Sequence, residues 1–184
     1  MGQQITEILT FWLDEVGPEG WYKQDDALDA EISRRFAGIW REGMRGHLSP
    51  WLSSADGALA LVILLDQFPR NMFRGTGDAF ASDPAARACA QTAIRLGRDR
   101  QIAEPGRQFF YLPFMHSEML TDQERCVRLI LMRMPEDGDK NLPHAIKHRE
   151  VIRRFGRFPS RNAALGRSDT EAERSYRADG GYMS

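Results

Sequence analysis

The chain has 184 residues, 42% of them hydrophobic and 28% charged, with a formal net charge of −1. That balance excludes intrinsic disorder, which goes with low apolar content and high net charge, and two cysteines are too few for a disulfide scaffold. No apolar run approaches the ~18–20 residues needed to cross a bilayer, and the start MGQQITEILTFWLDEVG lacks the basic segment and cleavage site of a secretory signal. The expectation is one cytoplasmic domain over 1–184, ordered over about 5–177, with no membrane partner.

Taken in chain order, Ile5, Ile8, Leu9, Trp12 and Val16 form one helical stripe, closed by Gly17-Pro18. After Trp21-Tyr22, Asp25-Asp26 caps a long helix with the stripe Leu28, Ile32, Phe36, Ile39, Trp40 and Met44. The run Ala58 to Leu65 is apolar on every side; its Ala and Leu content favours a central buried helix over a buried strand. Pro69 biases Phe68 away from helical geometry, so this helix is expected to end near Asp66 and Gln67, with Asp66 at the negative end of its dipole.

Asp83-Pro84 reads as a helix start and Gly97 as a stop, with Ala85, Ala88, Cys89, Thr92, Ala93 and Leu96 as a small-residue face. Pro105 opens a short aromatic helix, and Thr121 to Glu124 reads as a capping box. Leu142 to Phe155 is a further helix. Ser168 to Glu171 reads as a second box before a last short helix, and Gly180-Gly181 as a frayed tail. Nothing alternates like a strand. The sum is an all-α fold of about eight helices in stacked antiparallel pairs, a bundle or a short solenoid.

Polar strings with chemical potential sit at expected helix ends. Asp66, Gln67, Arg70, Asn71 and Arg74 follow the central helix; Arg157, Arg161 and Asn162 follow the helix ending at Phe155. Both strings run Phe-Pro and then Arg-Asn, the second with Ser160 inserted. If the two ends meet, four guanidinium groups and two amides converge on a place for a carboxylate or phosphate, which arginine grips bidentately. His116 and Glu118 lie two apart, a weak signal that suits acid–base work or two metal ligands and equally a hydrogen-bonded buried His. His144 and His148, four apart, face one side of a helix, but His-Ala-Ile-Lys-His lacks the Glu of the zinc-protease pattern, so no metal is expected. No pattern calls for a cofactor. Cys89 and Cys126 read as reduced core thiols.

Phe11-Trp12, Trp21-Tyr22, Leu64 to Asn71, Phe80 to Asp83, Leu112 to Glu118, Arg154 to Pro159, Arg161-Asn162 and Leu165 to Arg167 together resemble the bacterial family catalogued as domain of unknown function 924, from about residue 5 to residue 180. The resemblance implies an all-helical fold similar to tetratricopeptide-type helix stacks and supplies no activity. The family pattern carries a His where this chain has Ser160, which removes an imidazole from that position.

Two functional readings compete. The first is a pocket for a small anionic ligand, in which Glu118 with His116 or His148 would move protons and Asp66, Gln67, Arg70, Asn71, Arg74, Arg157, Arg161 and Asn162 would line the binding site. The second is a non-enzymatic helical module that binds a peptide or protein on a concave face. Residues 142–168 hold 7 Lys+Arg against Glu150 alone, but a net charge of −1 and a pI near 6.4 argue against a nucleic-acid partner.

Overall fold

The computed structural model describes residues 2–182, and among them there is no strand: the chain is all-α. Helix α1 (residues 2–16) is α-helical through Gly2–Leu9 and then a π turn through Thr10–Val16. It ends at Gly17, whose φ of 64° suits a residue without a β-carbon. Helix α2 (Asp26–Met44) starts where expected, the Asp25 carboxylate accepting the N–H groups of Ala27 and Leu28.

The central helix differs from its sequence expectation. Helix α3 (residues 55–72) does not stop at Pro69 but passes through three geometries: α over Ala55–Val62, π over Ile63–Gln67, and α again over Phe68–Met72. In the π turn the Phe68 N–H reaches back five residues to the Ile63 carbonyl. Pro69 has no N–H to return to Leu65, and the Ser82 hydroxyl donates to that carbonyl instead at 2.6 Å. Trp40 Nε1 donates to Ser82 in turn at 3.2 Å, so α2, α3 and the start of α4 (Asp83–Arg95) are tied through one buried hydroxyl. Asp66 is therefore inside a helix and not at its end.

Apart from helical turns of five residues or fewer, the remaining helices are α5 (residues 106–115, Gly106–Phe110 in 3-10 geometry and then Leu112–Met115), α6 (Leu120–Arg133), α7 (Gly138–Phe155) and α8 (Glu171–Ala178). Of the two expected capping boxes, the first does not form and the second is displaced. Helix α6 begins at Leu120 with no side-chain cap, while at α8 the box is Thr170 with Glu173. Helix α7 begins four residues earlier than expected and ends at Gly156, which adopts the left-handed geometry of a helix stop.

Every residue from 57 to 69 is buried, as an all-round apolar helix requires. Around α3 pack α1, α2, α4 and the first turn of α5. Helix α4 presents Ala86, Ala90, Ala93 and Ile94, a face rotated from the expected row, which leaves Leu96 half exposed. Aromatic rings fill the other side: Phe68 lies 5.4 Å from Trp12 and 4.7 Å from Phe36, and Trp21 lies 4.8 Å from Phe109, between centroids. Helices α6 and α7 form an antiparallel hairpin, and the Glu104 carboxylate accepts the N–H groups of Glu136 and Asp137 in its turn. That bond anchors the start of α7 beside the residues leading into α5. No helix among the described residues is long and apolar enough to cross a membrane.

Candidate functional site

The π turn presents Asp66 with no solvent exposure, a costly place for a carboxylate unless donors surround it. Three groups do. His116, directly after α5, places Nδ1 2.9 Å from Asp66 Oδ1; the Gln67 amide donates to Oδ2; and Arg70 lies 3.6 Å away while also donating to the Asp66 main-chain carbonyl at 2.8 Å. Burial opposes the charge, but His116, Arg70 and Gln67 together hold the Asp66 carboxyl well below the usual carboxylate range. An ionised carboxylate only accepts, so His116 Nδ1 carries a proton and Nε2 keeps its lone pair. Burial, reinforced by the nearby Arg70 charge, lowers the pKa of the imidazole and keeps it neutral at pH 7. A neutral imidazole fixed by a buried carboxylate is the arrangement of a general base.

His116 and His148 both line a cavity of 670 Å³, within the size of a small-molecule site. His148 comes from α7, its ring 6.5 Å from that of His116, and its Nδ1–H donates to the His144 carbonyl at 2.8 Å. Burial, with the Arg161 charge adding to it, pulls the His148 pKa down to about 3, so this ring too is neutral at pH 7. The cavity therefore has two imidazoles whose Nδ1 atoms are occupied and whose Nε2 atoms are acceptors. Trp21, Leu112 and Met115 give it apolar walls, and Tyr22, Gln108, Asn141 and Tyr182 give it polar ones. The Tyr22 hydroxyl donates to Gln108 Oε1 at 2.7 Å. Lys140 and Asp137 form an ion pair on the same wall. Among the described residues no group of three or more His, Cys, Asp or Glu side chains is arranged to hold a metal ion.

The other sequence candidates are distributed around this centre. Arg70 and Arg161 meet at one carboxylate, Asp83, at 3.0 and 3.4 Å. Arg161 also donates to the His116 carbonyl at 2.9 Å, and its guanidinium lies between the rings of Phe80 and Phe158, at 4.5 and 4.6 Å. Burial and the Arg70 charge lower its pKa to about 10. Arg74 and Asn71 turn the other way and bind Asp29 of α2. Arg157 forms a two-bond pair with Glu173, and Asn162 donates to Asp169. Glu118 accepts two bonds from Arg167 and one from the Phe158 N–H; despite partial burial, these bonds keep it ionised below its ordinary pKa. The structure thus brings together Asp66, Gln67, Arg70, His116, His148 and Arg161, and engages Asn71, Arg74, Glu118, Arg157 and Asn162 in separate clamps. Burial pushes the Cys89 thiol up to about 11, and the Cys126 thiol, fully buried, higher still, in keeping with inert core thiols.

Sequence reasoning missed Tyr22, Gln108, Asn141 and Tyr182, which come from four distant segments and share no spacing signal. Asp83 reads in the sequence as a helix start and as part of the string Phe80 to Asp83, and only the fold brings it within reach of Arg70 and Arg161.

A family model described as a bacterial protein of unknown function, DUF924, matches residues 8–181. Among solved structures, the protein of unknown function ATU0120 from Agrobacterium tumefaciens is similar, with 42% identity over 97% of this chain and 99% of its own and a TM-score of 0.91. No curated protein matches the chain.

Proposed function

The chain belongs to the bacterial DUF924 family, and we propose that its cavity binds a small organic molecule from which the Asp66–His116 pair removes a proton, directly or through a bound water. The observation that carries this reading is the 2.9 Å bond from His116 to a buried, ionised carboxylate, with the ring at the cavity wall. His148, neutral and 6.5 Å away, accepts a second hydrogen bond from the ligand. A carboxylate or phosphate substituent would meet Lys140 on the same wall. The arginines contribute by holding the frame: Arg70 and Arg161 share Asp83, Arg70 also faces Asp66, and Arg161 sets the position of the His116 main chain.

Incubating the protein with a bacterial metabolite extract and following masses by chromatography tests this reading. Wild type should deplete at least one compound; His116→Gln and Asp66→Asn, folded by circular dichroism, should not. Equal depletion by His116→Gln would reject the base assignment.

The reading as a peptide- or protein-binding module has its own support, a groove of 260 Å³ on α6 lined by Glu124, Val127, Arg128 and Leu131, with Leu131 largely exposed. Leu131→Asp separates the two: it should leave depletion untouched and abolish partner binding.

A further inference from the structure

Helix α8 is largely exposed, with Glu173 its buried residue, and the chain reverses after it at Gly180, whose φ is 73°. The reversal carries Tyr182 back to α7. Its ring lies 5.2 Å from that of His148 and 6.4 Å from that of His144, with the Lys147 ammonium 5.4 Å from its centroid. Its hydroxyl is 3.3 Å from His144 Nδ1 and 3.4 Å from His148 Nδ1, and the residue forms part of the cavity wall. The segment is held by Tyr176: the Tyr182 N–H donates to the Tyr176 hydroxyl at 2.8 Å, and the Gly181 N–H to the Tyr176 carbonyl at 2.9 Å. Gly181 lies against the Tyr176 ring so closely that a β-carbon there would come within 2.5 Å of it.

We propose that residues 179–182 are a strap that closes the cavity, with Tyr182 as the residue that covers His148 and contacts the ligand. The strap rests on the cavity being the ligand site, as argued above. Its construction suits opening: it buries no large side chain fully, and its main-chain N–H groups all end on the last turns of one largely exposed helix, at Ser175, Tyr176 and Arg177. Segments with few buried apolar contacts open locally at small free-energy cost, without the rest of the fold. A seated Tyr182 keeps water from His148 and presents a phenol to whatever lies between the imidazoles. An unseated one gives a ligand a way in.

The test needs neither ligand nor turnover, so it stands or falls apart from the acid–base reading. The full chain, Tyr182→Ala and Gly181→Ala are treated with diethyl pyrocarbonate, and carbethoxylation of His148 is followed by peptide mass spectrometry, with exposed His47 as the internal reference. Iodoacetamide reaction of the buried Cys126 reports global unfolding in the same samples. Both variants should carbethoxylate His148 about tenfold faster than wild type while Cys126 stays protected, because no opening step then precedes reaction. Unchanged His148 reactivity in both variants would overturn the proposal. So would simultaneous exposure of Cys126, which would make the segment a support of the whole fold.

Discussion

Phe68-Pro69-Arg70-Asn71 and Phe158-Pro159-Ser160-Arg161-Asn162 present nearly the same side chains, yet the first lies inside a buried helix and the second in a 3-10 turn after one. Their phenylalanines are both buried, and their arginines meet at Asp83. Their asparagines part: Asn71 binds Asp29 on α2, and Asn162 binds Asp169 just before α8. The difference teaches that the string is a portable set of donors whose destination is decided by where carboxylates wait. At the first string a π turn absorbs the proline; at the second Gly156 has already ended the helix.

The sharpest way to break this comparison is to remove the carboxylate found only at the first string. Asp66→Ala leaves the His116 Nδ1–H and the Gln67 amide without their buried acceptor and Arg70 with Asp83 alone, and should cost about 3–5 kcal/mol in urea titrations, because each buried donor left unsatisfied costs about 1–3 kcal/mol. A loss below about 1 kcal/mol would show that the Asp66 site is wet. Asp83→Ala, which releases the arginine of both strings together, should cost about 2–3 kcal/mol, and combining it with Arg161→Ala should cost less than the sum. Full additivity would mean that the strings are not joined there.

A third test reads the second string through His148, whose ring packs edge-on to Phe158 at 5.5 Å. Its folded pKa of about 3 lies below the unfolded value of about 6.5, so between them the unfolded chain binds a proton that the fold rejects. Stability should therefore be flat with respect to this group above pH ~6.5 and fall by about 1.4 kcal/mol per pH unit as pH drops toward 3. His116, shifted the same way, adds to the decline. His148→Gln should flatten the slope, and an unaltered slope would locate the proton uptake elsewhere. The smallest effect belongs to Arg74→Ala, since this residue is more than one-third exposed where it pairs with Asp29: about 0–1 kcal/mol.

Helical periodicity made most of the fold legible. The stripe of α2, its Asp25 cap and the buried Ala58–Leu65 run need no tertiary information. The end of α3 was not legible, because a proline reads as a stop only when nothing replaces its missing donor, and Ser82 lies thirteen residues further on. Half of the site was readable for a related reason. Asp66, His116 and Arg161 announce themselves as polar groups beside aromatic ones, whereas the cavity is walled by Tyr22, Gln108, Asn141 and Tyr182, ordinary residues given meaning by the turns that carry them.

The π turn of α3 amounts to one residue more than a regular helix would need between Val62 and Phe68. Each residue of an α-helix turns its successors by about 100°, so winding all five residues 63–67 at that pitch, with none removed, would swing everything after them round the axis by nearly that angle. Arg70 would leave Asp83, and Asp66 would leave His116. The winding of this segment is thus a rotational gear: its π geometry, more than its apolar content, sets which way the chemistry points.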